Sequence, residues 1–171
     1  IPDNHRLIAS TMTELANQYP TVQIVVNSQA DTGMAHSLRL GIETIVAFES
    51  TSIDQVLIMG VDQVLLDEPH LTALLAGEQP VVASCYHSWR RLEKHQNRDE
   101  KVADIIGLPL AINYKLLIQW QPELTGDKGL RHLIRGLPAD QIGEVDNDQL
   151  SYDIDTPEQL AFAKQQGWLD S

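Results

Sequence analysis

The 171 residues carry 12 Lys and Arg against 24 Asp and Glu, a formal charge of −12, and 43% of them are hydrophobic. So acidic a surface repels phosphate backbones, which excludes nucleic acid as the main partner, and no apolar run approaches the roughly 20 residues that a membrane span needs. Cys85 stands alone, so no disulfide forms within the chain; a buried structural thiol and a cytoplasmic location are expected.

The length suits one domain, residues 1–171, with a substantial core and room for a small lobe. From Asp3 to Gln18, Leu7, Ile8, Met12, Leu15 and Ala16 follow helical spacing, which Tyr19-Pro20 ends. Val22 to Val26 is a short β-branched strand, and NSQADTG, Asn27 to Gly33, is a polar loop. Leu38, Ile42, Ile45 and Val46 then give a helix over Met34 to Phe48.

The stretch QVLIMGVDQVLLD, Gln55 to Asp67, is the one around which the chain is organised. Val56 to Met59 shows no polar alternation and reads as a strand buried on both faces at the centre of a parallel sheet. It stops on Gly60, and Asp62 lies just past its carboxyl end, where open α/β sheets bind ligands. The same Asp also fits a turn or a helix N-cap.

Glu68 to Ala76 is a helix with Pro69 near its start, and PVVASC, Pro80 to Cys85, is a strand. The charged stretch 87–101, with Arg90, Arg91, Lys94, Arg98 and Lys101, is a solvated face or an excursion over a cleft. Ile105 to Ala111 contains Gly107 and Pro109 and reads as an edge strand or an extended segment. Tyr114 to Trp120 is a short helix, Thr125 to Gly129 a Gly-rich turn, and Leu130, Leu133 and Ile134 mark another helix. A strand at Ile142 to Val145 and an extended Tyr152 to Asp155 precede a helix from Pro157, with Thr156 as N-cap and Gln159 completing a capping box. Strands alternating with helices imply an α/β fold with a mostly parallel, Rossmann-like sheet.

Asp153 and Asp155 stand two apart in an extended stretch and leave from one face. With Asp62 they offer the hard oxygen donors that Mg²⁺ prefers, leaving other positions to water and phosphates. The structural alternative is a turn and a charge complementing the following helix dipole, which explains Asp155 and leaves Asp153 unexplained. At the helix start after Gly33, backbone N–H groups, Ser37 and Arg39 could hold a phosphate or a base edge, though a Gly before a helix is common. Gly126, Asp127 and Gly129 are equally consistent with a tight interhelical turn. The histidines share no spacing that builds a site, and neither GxxxxGK[ST] nor GxSxG occurs, which disfavours a P-loop NTPase and an α/β-hydrolase.

Four stretches in order resemble the molybdenum cofactor nucleotidyltransferases, especially the molybdopterin cytidylyltransferases. GMAHSLRLGI, Gly33 to Ile42, is similar to the family's G-M-x-x-S-L-x-x-G-[LI]; LIMGVDQVLLDEPHLTALL, Leu57 to Leu75, resembles its strand ending in an aspartate. GLP at 107–109 with GDKGLRHLI at 126–134 matches a Gly-x-Pro followed by G-D-x-G-[AL]-R, and DIDTPEQLAFA, Asp153 to Ala163, is close to D-I-D-T-P-E-D-L.

The resemblance implies a three-layer nucleotidyltransferase fold and transfer of CMP from CTP, or another nucleotidyl group, to the cofactor's terminal phosphate, with Mg²⁺ required and pyrophosphate released. It makes Asp62 the principal Mg²⁺ ligand, Asp153 the second and Asp155 a neighbour. Gly33, Ser37 and Arg39 fall on the nucleotide side, and Gly107, Pro109, Gly126, Asp127 and Gly129 on the substrate side. A molybdenum hydroxylase is the implied client.

Three departures bear on this reading. The charged stretch 87–101 is longer than expected between the strand and Gly-x-Pro, as a contact for a client enzyme or a plain insertion. Val64 replaces the family's Pro after Asp-Gln, and the N-terminal Leu-Ala-Ala-Gly-x-Ser-x-Arg-Met-Gly loop that cradles the triphosphate has no counterpart. The sequence is therefore expected to be N-terminally incomplete. Otherwise the protein binds nucleotide or cofactor without turnover and serves a molybdenum enzyme. A nucleotidyltransferase acting on another phosphorylated substrate would share the same carboxylates.

Overall fold

The computed structural model describes residues 6–48, 52–86, 105–126 and 129–169; the charged stretch 87–101 and Asp127 of the Gly-rich turn lie outside them. In chain order the main elements are α1 (Arg6–Gln18), α2 (Met34–Ala47), β1 (Gln55–Ile58), α3 (Glu68–Ala76), β2 (Val81–Tyr86), β3 (Ile105–Asn113), α4 (Tyr114–Trp120), α5 (Arg131–Ile134), β4 (Ile142–Asp146) and α6 (Pro157–Gln165). The described residues of 1–53 and 115–136 gather into one compact unit and those of 54–114 and 137–171 into another. Among the described residues, no helix is long and apolar enough to cross a membrane.

In the first unit α1 and α2 form where the helical spacing placed them. Ala35 and Ile42 are buried on α2, Leu117 and Trp120 on α4, and Ile134 on α5. Val22–Val26, expected as a strand, is not one of the strands formed by the described residues. The sheet of described strands runs β1-β3-β2-β4 without this segment.

That sheet belongs to the second unit. β3 pairs antiparallel with both β1 and β2, and β2 pairs parallel with β4. β1, β2 and β4 therefore share one direction and β3 alone opposes it, a mixed sheet with one parallel and two antiparallel pairings in a Rossmann-like α/β arrangement. Position within the sheet departs from expectation. β1 stands at one end of the described strand order and each of its residues is only partly buried. β2, flanked on both sides, takes the central place and is buried from Val81 to Cys85.

β3 is an interior strand, although Pro109 argued for an edge. The reason is a bulge: Ala83 pairs with Leu110 but Ser84 pairs with Gly107, so Leu108 and Pro109 are looped out of the ladder where a missing N–H costs no strand hydrogen bond. α3 packs against this sheet. Asp67 caps it by accepting from the His70 N–H at 3.0 Å, and Leu74, Val82 and Ala111 form a buried cluster flanked by Leu57, Leu71 and Val145.

Two polar side chains enter this apolar layer together. Ser84 Oγ donates to the Pro109 carbonyl at 2.7 Å, which commits its proton, so His70 Nε2 must be the donor across the 2.8 Å contact with Ser84 Oγ. His70, 5% exposed, is thus held as the neutral Nε2–H tautomer. Burial pushes its pKa below the ordinary value, and the Asp67 carboxylate opposes that in part.

Leu74→Ala is expected to cost about 2–5 kcal/mol in urea unfolding, because the buried side chain leaves a cavity between α3 and the sheet. Because the folded His70 pKa is depressed, its contribution is fully present above the unfolded value of about 6.5 and is lost as pH falls below it. The urea midpoint should drop between about pH 7.5 and about pH 5.5, and His70→Gln should flatten that drop.

Candidate functional site

In the second unit, β1 delivers the chain to a polar strand end. After Ile58, Met59 and Val61 are exposed and the backbone bends at Val61 and Asp62. The Asp62 carboxylate turns back over Gly60: a Cβ at Gly60 would overlap Asp62 Oδ1, so a side chain there would displace that carboxylate.

The Asp153 segment lies directly alongside. Gln63 and Asp153 form an isolated antiparallel bridge, and the Ile154 N–H donates to the Asp62 carbonyl at 3.0 Å. In a regular ladder Asp62 and Asp153 would face opposite sides. The bend at Val61 and Asp62 interrupts the regular ladder there. The structure thus joins the backbones of the two segments that carry Asp62 and Asp153, 91 positions apart in sequence (153 − 62).

Asp155 is exposed, one residue before the cap of α6. Thr156 Oγ1 accepts from the Gln159 N–H at 3.2 Å, as the capping box requires. The return bond differs by one residue, since Gln159 Oε1 accepts from the Asp155 N–H at 2.9 Å. Beside Asp153 opens a cleft of about 280 Å³, walled by Tyr152, Phe162 and Trp168, with Glu158 on its lining. The Trp168 ring makes edge contacts with Tyr152 at 5.2 Å and Phe162 at 5.5 Å.

Among the described residues no three His, Cys, Asp or Glu side chains are grouped as a metal cage. Mg²⁺ bound with substrate phosphates commonly takes one or two carboxylates, and Asp62 with Asp153 fits that donor set. Gly107 and Pro109 have packing roles in β3: a Cβ at Gly107 would press on the Tyr86 hydroxyl at 2.9 Å, and buried Pro109 accepts from Ser84.

The first unit holds the other motif residues. Gly33 caps α2 with φ 109° and ψ 172°, a conformation open to glycine and strained for other residues. The Ala35 N–H donates to the Gly126 carbonyl at 3.1 Å and the His36 N–H to the Gly33 carbonyl at 3.3 Å. Gly126 and Gly129 have φ of 60° and 51°, and a Cβ at Gly129 would come within 3.2 Å of Met34 Sδ. The Gly-rich turn is therefore packed onto the start of α2, which the sequence motifs did not link.

With the Ala35 and His36 N–H groups engaged, the Ser37 hydroxyl and the Arg39 guanidinium are the side-chain donors that this turn presents. Ser37 Oγ accepts from Asn27 Nδ2 at 2.9 Å, and Asn27 Oδ1 accepts from the Gln29 N–H at 2.8 Å. Asn27, 3% exposed, is thus a buried bracket that aims Ser37. Sequence reasoning passed over Asn27 and Gln63. A signal for Gln63 was its place beside Asp62; Asn27 offered none beyond its place at a loop start.

A family profile described as MobA-like NTP transferase domain matches residues 4–144. No curated protein matches the chain in sequence. Among solved structures, a 4-diphosphocytidyl-2C-methyl-D-erythritol synthase from Anaerococcus prevotii is similar at a TM-score of 0.68 and 16% identity, over 96% of this chain and 76% of that one. A second 4-diphosphocytidyl-2C-methyl-D-erythritol synthase aligns at 0.60 and 13% identity, over 94% of this chain and 76% of that one. At such identities the likeness establishes the fold, that of nucleotidyltransferases. The profile covers the strand end that carries Asp62, the α2 start and the Gly-rich turn, and the chain belongs to the MobA-like NTP transferase domain family.

Proposed function

We propose that this nucleotidyltransferase-type domain transfers CMP from CTP to the terminal phosphate of a molybdopterin-type cofactor. The acceptor phosphate oxygen forms a bond to the α-phosphorus, the bond from that phosphorus to the oxygen bridging it to the β-phosphate breaks, and pyrophosphate leaves. The observation that carries the reading is the backbone seam joining the Asp62 strand end to the Asp153 segment, as a shared cation would require.

Asp62 and Asp153 are the groups that would hold Mg²⁺, with Asp155 as a neighbour. When bound, the cation supplies charge neutralisation for the phosphates, which otherwise meet a chain of formal charge −12. Ser37, with a lone pair occupied by Asn27, is left to donate its proton to a nucleotide oxygen, and Arg39 adds a fixed positive charge on the same helix. Gly126, Asp127 and Gly129 in one unit, and Gly107 and Pro109 in the other, are the residues that the family motifs assign to the acceptor. A molybdenum hydroxylase would receive the product.

A second acceptor class has its own support. Both structural neighbours bear the name of an enzyme whose product is a diphosphocytidyl polyol, which favours the same cytidylyl transfer to a polyol phosphate. The carboxylates would serve either acceptor.

Protein incubated with CTP, Mg²⁺ and the pterin cofactor should release pyrophosphate, and CTP should exceed GTP, ATP and UTP in a turnover panel. Turnover with the polyol phosphate alone would overturn the molybdopterin assignment, and nucleotide binding without pyrophosphate would replace transfer with a carrier role. Asp62→Ala should lower the rate by about 10²-fold or more, and activity surviving at wild-type level would remove Asp62 from the metal site. Asn27→Ala should raise the KM for CTP several-fold, by about the value of one hydrogen bond, with a smaller effect on kcat.

A further inference from the structure

Gln63 is where three separate segments of the second unit meet. Its backbone is bridged to Asp153, flanked by the bond from the Ile154 N–H to the Asp62 carbonyl. Its side-chain Nε2 donates to the Leu108 carbonyl at 3.0 Å and to the Leu150 carbonyl at 3.2 Å. Leu108 belongs to the bulge of β3, and Leu150 to the 3-10 turn Asp148–Ser151 that leads into Asp153. Both amide protons are thereby committed. Rotating the amide by half a turn would set its oxygen against two carbonyl oxygens, so its orientation is fixed.

The cost of this arrangement is visible on the other side of the amide. Among the described residues, Gln63 Oε1 is buried with no hydrogen-bond partner. A buried acceptor left unpaired offsets part of what the two donated bonds contribute, so the side chain yields position more than stability. Position matters here because the segments it ties carry like charges, Asp62 on one and Asp153 and Asp155 on the other. A neutral cross-link holds them together without adding to the repulsion.

We propose that Gln63 is a positioning residue that clamps the Asp62 strand end to the Asp153 segment and so preorganises the carboxylate pair for a divalent cation. The cation role rests on the nucleotidyl-transfer reading; the clamp itself stands on the hydrogen bonds alone.

The test uses the full chain as wild type, Gln63→Leu and the milder Gln63→Asn, which keeps the amide but shortens its reach. Amide hydrogen exchange should show protection at Ile154 falling about tenfold or more in Gln63→Leu while the amides along β2 keep theirs. Mn²⁺, followed by electron paramagnetic resonance, should bind more weakly by about tenfold or more in the same variant, the same factor as the lost protection. Gln63→Asn should repeat both changes at smaller size, which also covers the case in which Gln63→Leu does not fold. Unchanged protection at Ile154 in a folded variant overturns the clamp. Lost protection with unchanged Mn²⁺ affinity, or a wild-type chain that binds no Mn²⁺, overturns the positioning role. Failure of pyrophosphate release by the wild type would instead strike the transfer reading, and the exchange result at Ile154 would separate the two.

Discussion

The single break in the β2–β3 ladder, between Ala83 and Ser84, is the constraint on which the strand-end site depends. Pro109 cannot donate to a ladder, so the strand that carries it must loop past its partner there. The looped residues keep their carbonyls, and each finds a side-chain donor: Pro109 takes Ser84 Oγ and Leu108 takes Gln63 Nε2. What the bulge removes from backbone pairing it hands to the two residues that tie the sheet to α3 on one side and to the Asp62 strand end on the other.

The His70–Ser84–Pro109 chain is the interior half of that arrangement. A histidine under an acidic surface invites a catalytic reading, but here its Nε2–H is engaged by a hydroxyl whose own proton is held by a carbonyl. The hydrogen bonds account for the group, and burial keeps it neutral. Cys85, one residue on, is likewise buried on β2, as its isolation in the sequence suggested.

The exterior half is electrostatic. A chain with twice as many acids as bases has little to offer a triphosphate directly, and the two sets of motif residues answer this differently. In one unit, carboxylates at a strand end suit a cation that would reverse the local sign of charge. In the other, α2 begins with Ala35 and His36 N–H groups already engaged by Gly126 and Gly33, so the proposed nucleotide contacts fall to Ser37 and Arg39. The Gly-rich turn therefore acts first as a structural brace for the helix start.

Membership of the MobA-like NTP transferase domain family and the α/β class could be read from the chain, because motif order and hydrophobic periodicity are written in contiguous residues. So were the helices α1, α2, α3 and α6, the Thr156 cap and the place of Asp62 just past a strand, since caps and turns act over three or four positions. Strand order was not. Nothing in Val56–Met59 says that β1 ends the described sheet, in Val22–Val26 that it stands outside the described strands, or in Gly107–Pro109 that a bulge carries proline into the interior. The clamp by Gln63 depends on carbonyls 45 and 87 positions away, and the aim of Ser37 on an amide ten positions back. Such contacts exist only once distant segments have packed, which is why local pattern named the carboxylates and tertiary structure alone decided what holds their two segments side by side.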